Sequence, residues 1–276
     1  MSSLLSNADT SFNTGVGAGT LLLNTADENT ATGAGALLSN TTGSQNTANG
    51  VFALFSNTTE SFNTATGFQA LFSNTTGGRN VADGSSALYS NTIGNFNTAV
   101  GDSTLFSLTT VDPSDGNGNA NTAIGELALA NVINGAANTA MGDSALVNII
   151  TGYQNIAVGY VAGQNLTTGN NNIYISSPSV DTESNTIRVG NVVGFTDIYG
   201  FSHGAHTAAF VAGVSGTAVV GDTVVVDANG QLGTATSSAR FKKDIKPIDK
   251  ASEAILALKP VTFQYKSDSK AHRNLV

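Results

Sequence analysis

Side chains able to do chemistry are few in this chain of 276 residues. It has no cysteine and three histidines, so there is no disulfide, no thiolate metal site and no cysteine nucleophile. His203-Gly204-Ala205-His206 sets two imidazoles three residues apart. A threefold axis could gather such pairs around a metal, but no third ligand type or carboxylate lies nearby in sequence. Packing or solvent exposure is the simpler reading, and no metal or cofactor is expected. The acidic pairs Asp27-Glu28 and Asp112…Asp115 lack the ligand spacing of a calcium loop and read as surface acids. Repeated Asn-Thr-Thr triplets match the glycosylation acceptor pattern, yet they recur at a fixed interval, which marks them as structural turns.

The elements that carry these residues follow from charge and periodicity. Only 11% of residues are charged and 40% are hydrophobic. No apolar run reaches the ~20 residues of a membrane span, and the first residues lack a basic-then-apolar signal pattern. Residues 1–239 hold two basic against fifteen acidic side chains (net −13), and residues 240–276 hold nine against four (net +5). That break places a boundary near residue 237. An acidic body has no electrostatic reason to bind nucleic acid.

A repeat dominates the chain. Asn13, Asn29, Asn46, Asn63, Asn80, Asn97, Asn121, Asn138 and Asn155 open Asn-Thr-Ala-x-Gly-type blocks at steps of 16, 17, 17, 17, 17, 24, 17 and 17. The long step adds a loop around Val111 to Asn117. A glycine follows four residues after each anchor, from Gly17 and Gly33 to Gly159, and an Ala-Leu pair after most of those. A 17-residue unit cannot bury a face alone and must stack on its neighbours. One coil per unit gives a β-solenoid about 43 Å long over nine coils. Alternation turns Ala and Gly inward and Thr outward. The inward sites are small, so the interior is narrow; the glycine suits a corner of positive φ or close approach. Asn at a fixed site can stack into an amide ladder. The Ala-Leu stretch reads as a second strand or one helical turn.

Recurring Leu, with Phe55, Phe72, Tyr89 and Phe106, makes apolar stripes along the coil column. A coil this thin has little interior, so one stripe is expected to face a sister chain, most simply in a parallel homotrimer. The Asn-Thr-Ala-x-Gly-x-x-Ala-Leu units resemble the repeats of bacterial and phage tail-fibre proteins, and the β-roll heads of trimeric autotransporter adhesins. The resemblance implies an extracellular fibre, on a virion tail or a bacterial surface, with host receptor or glycan and other fibre or particle proteins as partners. Leu4-Leu5-Ser6-Asn7 aligns with Leu37-Leu38-Ser39-Asn40, so the chain opens within a unit and reads as part of a longer fibre or assembly.

After Asn172 to Ser176 the period fades. Residues 181–236 read as short strands between Gly-rich turns, with Thr223 to Asp227 and the Asn229-Gly230 turn as a hairpin signal. In the tail, Ile248, Ala251, Ile255 and Leu258 share a helical face bounded by Pro247 and Pro260, and Val261 to Tyr265 reads as a strand. Thr236 to Ile245 resembles the start of the intramolecular chaperone domain of phage endosialidases and tail fibres. That resemblance implies trimerisation and self-cleavage by a Ser–Lys dyad, its motif falling on Ser237, Ser238, Arg240 and Lys242. Ser237 would be the nucleophile, Lys242 its base, and the Ser237–Ser238 bond the scissile one. A lysine desolvated in an interface loses pKa and can take a serine proton; by spacing alone Ser238 reads equally as a helix cap.

The fold expected is therefore all-β: a solenoid shaft over 1–180, a β neck over 181–236 and, over 237–276, the truncated start of a chaperone domain with a short α/β tail. The function expected is structural attachment by a trimeric fibre. Two alternatives are a self-cleaving fibre precursor, and a glycan- or ice-binding array built on the Thr14, Thr30, Thr47 and Thr64 column, which Val81 and Ile156 interrupt.

Overall fold

The computed structural model describes residues 12–109, 118–191 and 193–207, with strand residues 224–226, 232–234, 262–263 and 274–275. The chain forms two compact units, Met1–Val211 and Ala212–Val276.

The first unit is a parallel β-solenoid. Its eleven-stranded sheet runs in chain order through β1 (Thr14–Val16), β2 (Thr30–Thr32), β3 (Thr47–Asn49), β4 (Thr64–Thr66), β5 (Val81–Asp83), β6 (Thr98–Val100), β7 (Thr122–Ile124), β9 (Thr139–Met141), β11 (Ile156–Val158), β12 (Ile173–Ile175) and β13 (Ile187–Val189). A two-stranded side sheet pairs β8 (Asn134–Ala136) with β10 (Thr151–Tyr153). Register is set by the repeat: Thr30 faces Thr47 and Thr47 faces Thr64, so each 17-residue unit advances one strand. Thr98 faces Thr122, which confines the seven extra residues between two coils without shifting the pairing. At ~4.8 Å per strand the column is about 48 Å long. No helix occurs among the described residues; the helix expected at 248–258 lies outside them.

Each strand is three residues long and alternates as its sequence demands. The central alanine points inward and is fully buried, as at Ala31, Ala48, Ala65, Ala82 and Ala99, while the flanking threonines face out. The corner after the strand is glycine because nothing larger fits. From Gly17 to Gly159 this residue has φ between 119° and 151°, and a Cβ on Gly67 would sit 2.4 Å from the carbonyl oxygen of Gly84. The Ala-Leu stretch is neither strand nor helix. It is a run of turns in which leucine takes the left-handed conformation, with φ of 49° at Leu37, 51° at Leu54 and 52° at Leu71. That conformation costs about 1–2 kcal/mol for an L-residue. Complete burial of the leucine side chain, worth about 1.5–3 kcal/mol, offsets it.

Two polar columns thread the otherwise apolar core. In one, each anchor asparagine accepts through Oδ1 from the backbone N–H of the next anchor, as Asn46 does from Asn63 at 2.9 Å. Its Nδ2 donates to a turn carbonyl, as Asn63 does to Gly77 at 2.9 Å. From Asn97 onward the anchors also form an amide ladder, Asn121 donating through Nδ2 to Asn97 Oδ1 at 3.1 Å and Asn172 to Asn155 at 2.9 Å. The second column is an amide ladder over the earlier coils: Asn57 donates to Asn40, Asn74 to Asn57 and Asn91 to Asn74, at 2.8, 2.8 and 2.9 Å. It stops where the next coil supplies Leu108, leaving the buried Asn91 Oδ1 without a partner. Val132, Ile149 and Leu166 continue that column as buried hydrophobes.

The last coils keep the geometry with different residues. Asn172 is a tenth anchor, accepting from Thr186 N–H at 3.0 Å, and β13 follows β12 after 14 residues. Tyr174 takes the alanine site and is fully buried, while Gly163 takes the leucine site, where a Cβ would meet Leu146 at 2.7 Å and Tyr174 at 2.9 Å. One side chain grew where its neighbour shrank. A short hairpin of β14 (Phe195–Thr196) and β15 (Ser202–His203) then folds back over these coils. In the second unit, β16 (Val224–Val226) pairs antiparallel with β17 (Leu232–Thr234), and β18 (Thr262–Phe263) with β19 (Asn274–Leu275).

Candidate functional site

Ser237 and Lys242, the expected dyad, lie outside the described residues, as do Asp112 and Asp115. Among the described residues no group of three or more His, Asp or Glu side chains could hold a metal ion, and no helix is long and apolar enough to cross a membrane.

Three surfaces remain. The first is the outer face of the long sheet, which changes character along the column. In β2, β3 and β4 it presents Thr30, Thr32, Thr47, Asn49, Thr64 and Thr66. From β7 onward it presents Ile124, Met141, Ile156, Val158, Ile175 and Val189, each between 38% and 71% exposed. Exposed aliphatic residues in so regular an array exceed what scattered surface hydrophobes produce.

The second surface is aromatic. Phe55, Phe72, Tyr89 and Phe106 stack one per coil, with ring centroids 5.1–5.2 Å apart and planes within 9°. The coil pitch imposes that spacing, and the rings cover much of one another. On another edge the Arg79 guanidinium lies over Phe62 and Phe96, 5.0 and 5.7 Å from their centroids.

The third is a groove where the hairpin meets the last coils, lined by Tyr160, Ser176, Asn191, Phe195, His203 and His206. Asp197 anchors it. Its Oδ2 accepts from Tyr160 OH at 2.7 Å and pairs with His203 Nε2 at 2.8 Å, and its Oδ1 accepts from Tyr199 and Phe201 N–H at 2.9 and 2.8 Å. Burial pushes this carboxyl up, but the bonds from His203, Tyr160 and the two amides prevail and hold it at about 2. The same bond raises the Tyr160 phenol to about 12, helped by burial and the nearby acids. Gln164 ties the hairpin down further, accepting from Ile198 N–H at 3.1 Å, and Ser144 bonds Tyr199 at 2.7 Å. In the last coil, Glu183 pairs with Arg188 at 2.6 Å; burial raises its carboxyl, and the bonds from Arg188 and the Val180 amide outweigh that and lower it.

His203 and His206 thus share one groove, as their spacing allows, but not as metal ligands. His203 Nε2 is committed to Asp197, and His206 Nδ1 accepts from Asn191 N–H at 2.8 Å, which puts the ring proton of a neutral His206 on Nε2. With both rings neutral, one bare imidazole nitrogen is left in the groove, His203 Nδ1. Sequence reasoning missed Asp197, Tyr160 and Asn191; they come from different elements and share no spacing that would reveal them.

Residues 237–275 match the family described as chaperone of endosialidase. No curated protein and no solved structure matches the chain. The match spans the last part of the chain alone, and together with the solenoid it fits a tail-fibre-like repeat protein with the start of a chaperone domain.

Proposed function

We propose that the chain forms part of a trimeric attachment fibre, on a phage tail or bacterial surface, whose shaft holds receptor-binding surfaces away from the particle or cell. The observation that carries this reading is the outer sheet face from β7 to β13, aliphatic and exposed in a single chain. A sister chain repeats with the same pitch, so parallel packing about an axis along the column sets each Ile124, Met141 and Val158 against its own counterparts at one height. The Thr-rich face of β2 to β4 has no such need for cover and stays free. Sedimentation equilibrium of the full chain tests this. Three times the 27.9 kDa chain mass is expected, with Val158→Asp and Ile175→Asp together shifting the protein toward monomer. A monomer at all concentrations would remove the reading.

A second reading concerns maturation, and the family match that opens on Ser237 favours it. Ser237 Oγ would attack the carbonyl carbon of the Ser237–Ser238 bond, Lys242 taking its proton and passing it to the departing Ser238 amine, and water would then hydrolyse the ester, releasing the segment from Ser238 onward. Intact-mass measurement tests it: the shorter mass is expected from the native chain and the full mass from Ser237→Ala. Full mass in both would end it.

A further inference from the structure

The groove between the returning hairpin and the last coils is built like a ligand site. Asn191 lines it, is only 6% exposed, and its amide Nδ2 has no partner. A buried donor left unpaired costs about 1–3 kcal/mol, and folded chains keep few of them. Around it stand groups of mixed sense. The Nε2–H of His206 is a donor, because its Nδ1 accepts from Asn191 N–H. In a neutral His203 the Nδ1 is an acceptor, because its Nε2–H then donates to Asp197. Ser176 sits at the corner glycine's position with φ 47°, a left-handed serine in the groove wall. The remaining wall is aromatic: Phe195 stacks on His203 with centroids 5.0 Å apart, and Tyr160 lies 5.7 Å from the same ring.

We infer that this groove binds a neutral sugar unit, with Asn191 Nδ2 and His206 Nε2 donating to its hydroxyls, His203 Nδ1 accepting from one, and the Phe195–Tyr160 wall covering a C–H face. The chemistry of the lining selects that class. Vicinal hydroxyls both accept and donate, which a mixed set of donors and acceptor requires, and a pyranose offers an apolar face to a ring. An anion suits the site poorly, since Asp197 lies beneath it and residues 1–239 carry a net charge of −13. A metal suits it no better, with one bare imidazole nitrogen present. The biological meaning of such binding rests on the attachment reading; the binding itself does not.

Saturation-transfer NMR on the full chain tests it, with glucose, galactose, mannose and N-acetylglucosamine each at ~10 mM, a range that detects millimolar affinity. Transfer to the ring protons of at least one sugar is expected. Asn191→Asp keeps the shape and removes the donor, and His206→Ala removes an exposed one. Each should weaken binding about threefold to tenfold, whereas Thr47→Ala on the distant sheet face should leave it unchanged. No transfer from any of the four sugars, or transfer unaltered in both groove variants, overturns the assignment. A trimer that binds none of them overturns it while leaving the fibre reading intact.

Discussion

Gly77 and Gly78 are neighbours in one turn, yet alanine should be tolerated at only one of them. A Cβ on Gly77 would lie 2.4 Å from Asn74 Oδ1 and 2.4 Å from the carbonyl oxygen of Gly94 in the next coil. Neither atom can yield freely: Asn74 Oδ1 accepts from Asn91 at 2.9 Å, and Gly94 O accepts from Asn80 at 2.8 Å. Relieving the overlap means parting two coils or breaking the amide ladder. Overpacking costs about 1–3 kcal/mol, and orphaning one buried partner about 1–3 kcal/mol more, so Gly77→Ala should cost about 2–6 kcal/mol. A Cβ on Gly78 meets nothing nearer than the end of the Glu60 side chain, at 3.2 Å. Gly78→Ala should be neutral, or stabilising by about 0.4–1 kcal/mol through the unfolded chain. At about 2–4 °C per kcal/mol for a chain near this size, thermal melts followed by circular dichroism should separate the two variants by about 4–28 °C. Melts that coincide within ~2 °C would refute the claim that coils stack without slack.

The amide ladder makes a paired prediction. Asn74→Leu orphans Asn57 Oδ1 and strips Asn91 Nδ2 of its ladder acceptor, at about 1–3 kcal/mol each. Asn91→Leu orphans only Asn74 Oδ1 and removes an oxygen that already lacks a partner, so urea unfolding should rank Asn74→Leu as clearly the more damaging. Asp197 gives a pH prediction. Its carboxyl is held low in the fold, so its contribution to hairpin docking is complete above about pH 4, the ordinary carboxylate range. It is lost as pH falls toward about 2. The Tyr199 and Phe201 amide resonances, whose protons point at Asp197 Oδ1, should titrate with a midpoint near 2. A midpoint near 4 would show the network is not formed.

The period of the anchors was enough to read one coil per unit, the inward alanine and the corner glycine, because each is a local demand repeated many times. Features that depend on what lies across the interior were not legible. The turn motif Asn40-Thr41-Thr42-Gly43 reads as a turn, and it is one, but its asparagine also faces inward onto the asparagine one coil away. Asn172 escapes the pattern because Tyr174 and Ser176 stand where alanine and glycine belong. Gly163 explains the tyrosine only once both are seen side by side. The Ala-Leu stretch defeats propensity reasoning, since a left-handed leucine is unfavourable locally and is rescued by burial. The histidine pair was visible in the sequence. Its chemistry was not, because Asp197 and Asn191 fix the two rings' tautomers.

The central claim is that residue i stands beside residue i+17 on the next coil. The native chain has no cysteine, so an engineered pair reports on that contact alone. Thr47 and Thr64 are direct partners in parallel strands, at the ~4.8 Å strand spacing that a disulfide spans. Thr47 and Val81 stand two coils apart, about 9.6 Å. Mild oxidation followed by intact-mass measurement should close Thr47→Cys/Thr64→Cys within one chain and leave Thr47→Cys/Val81→Cys open. An open first pair, or equal closure of both, would contradict the stacked coil.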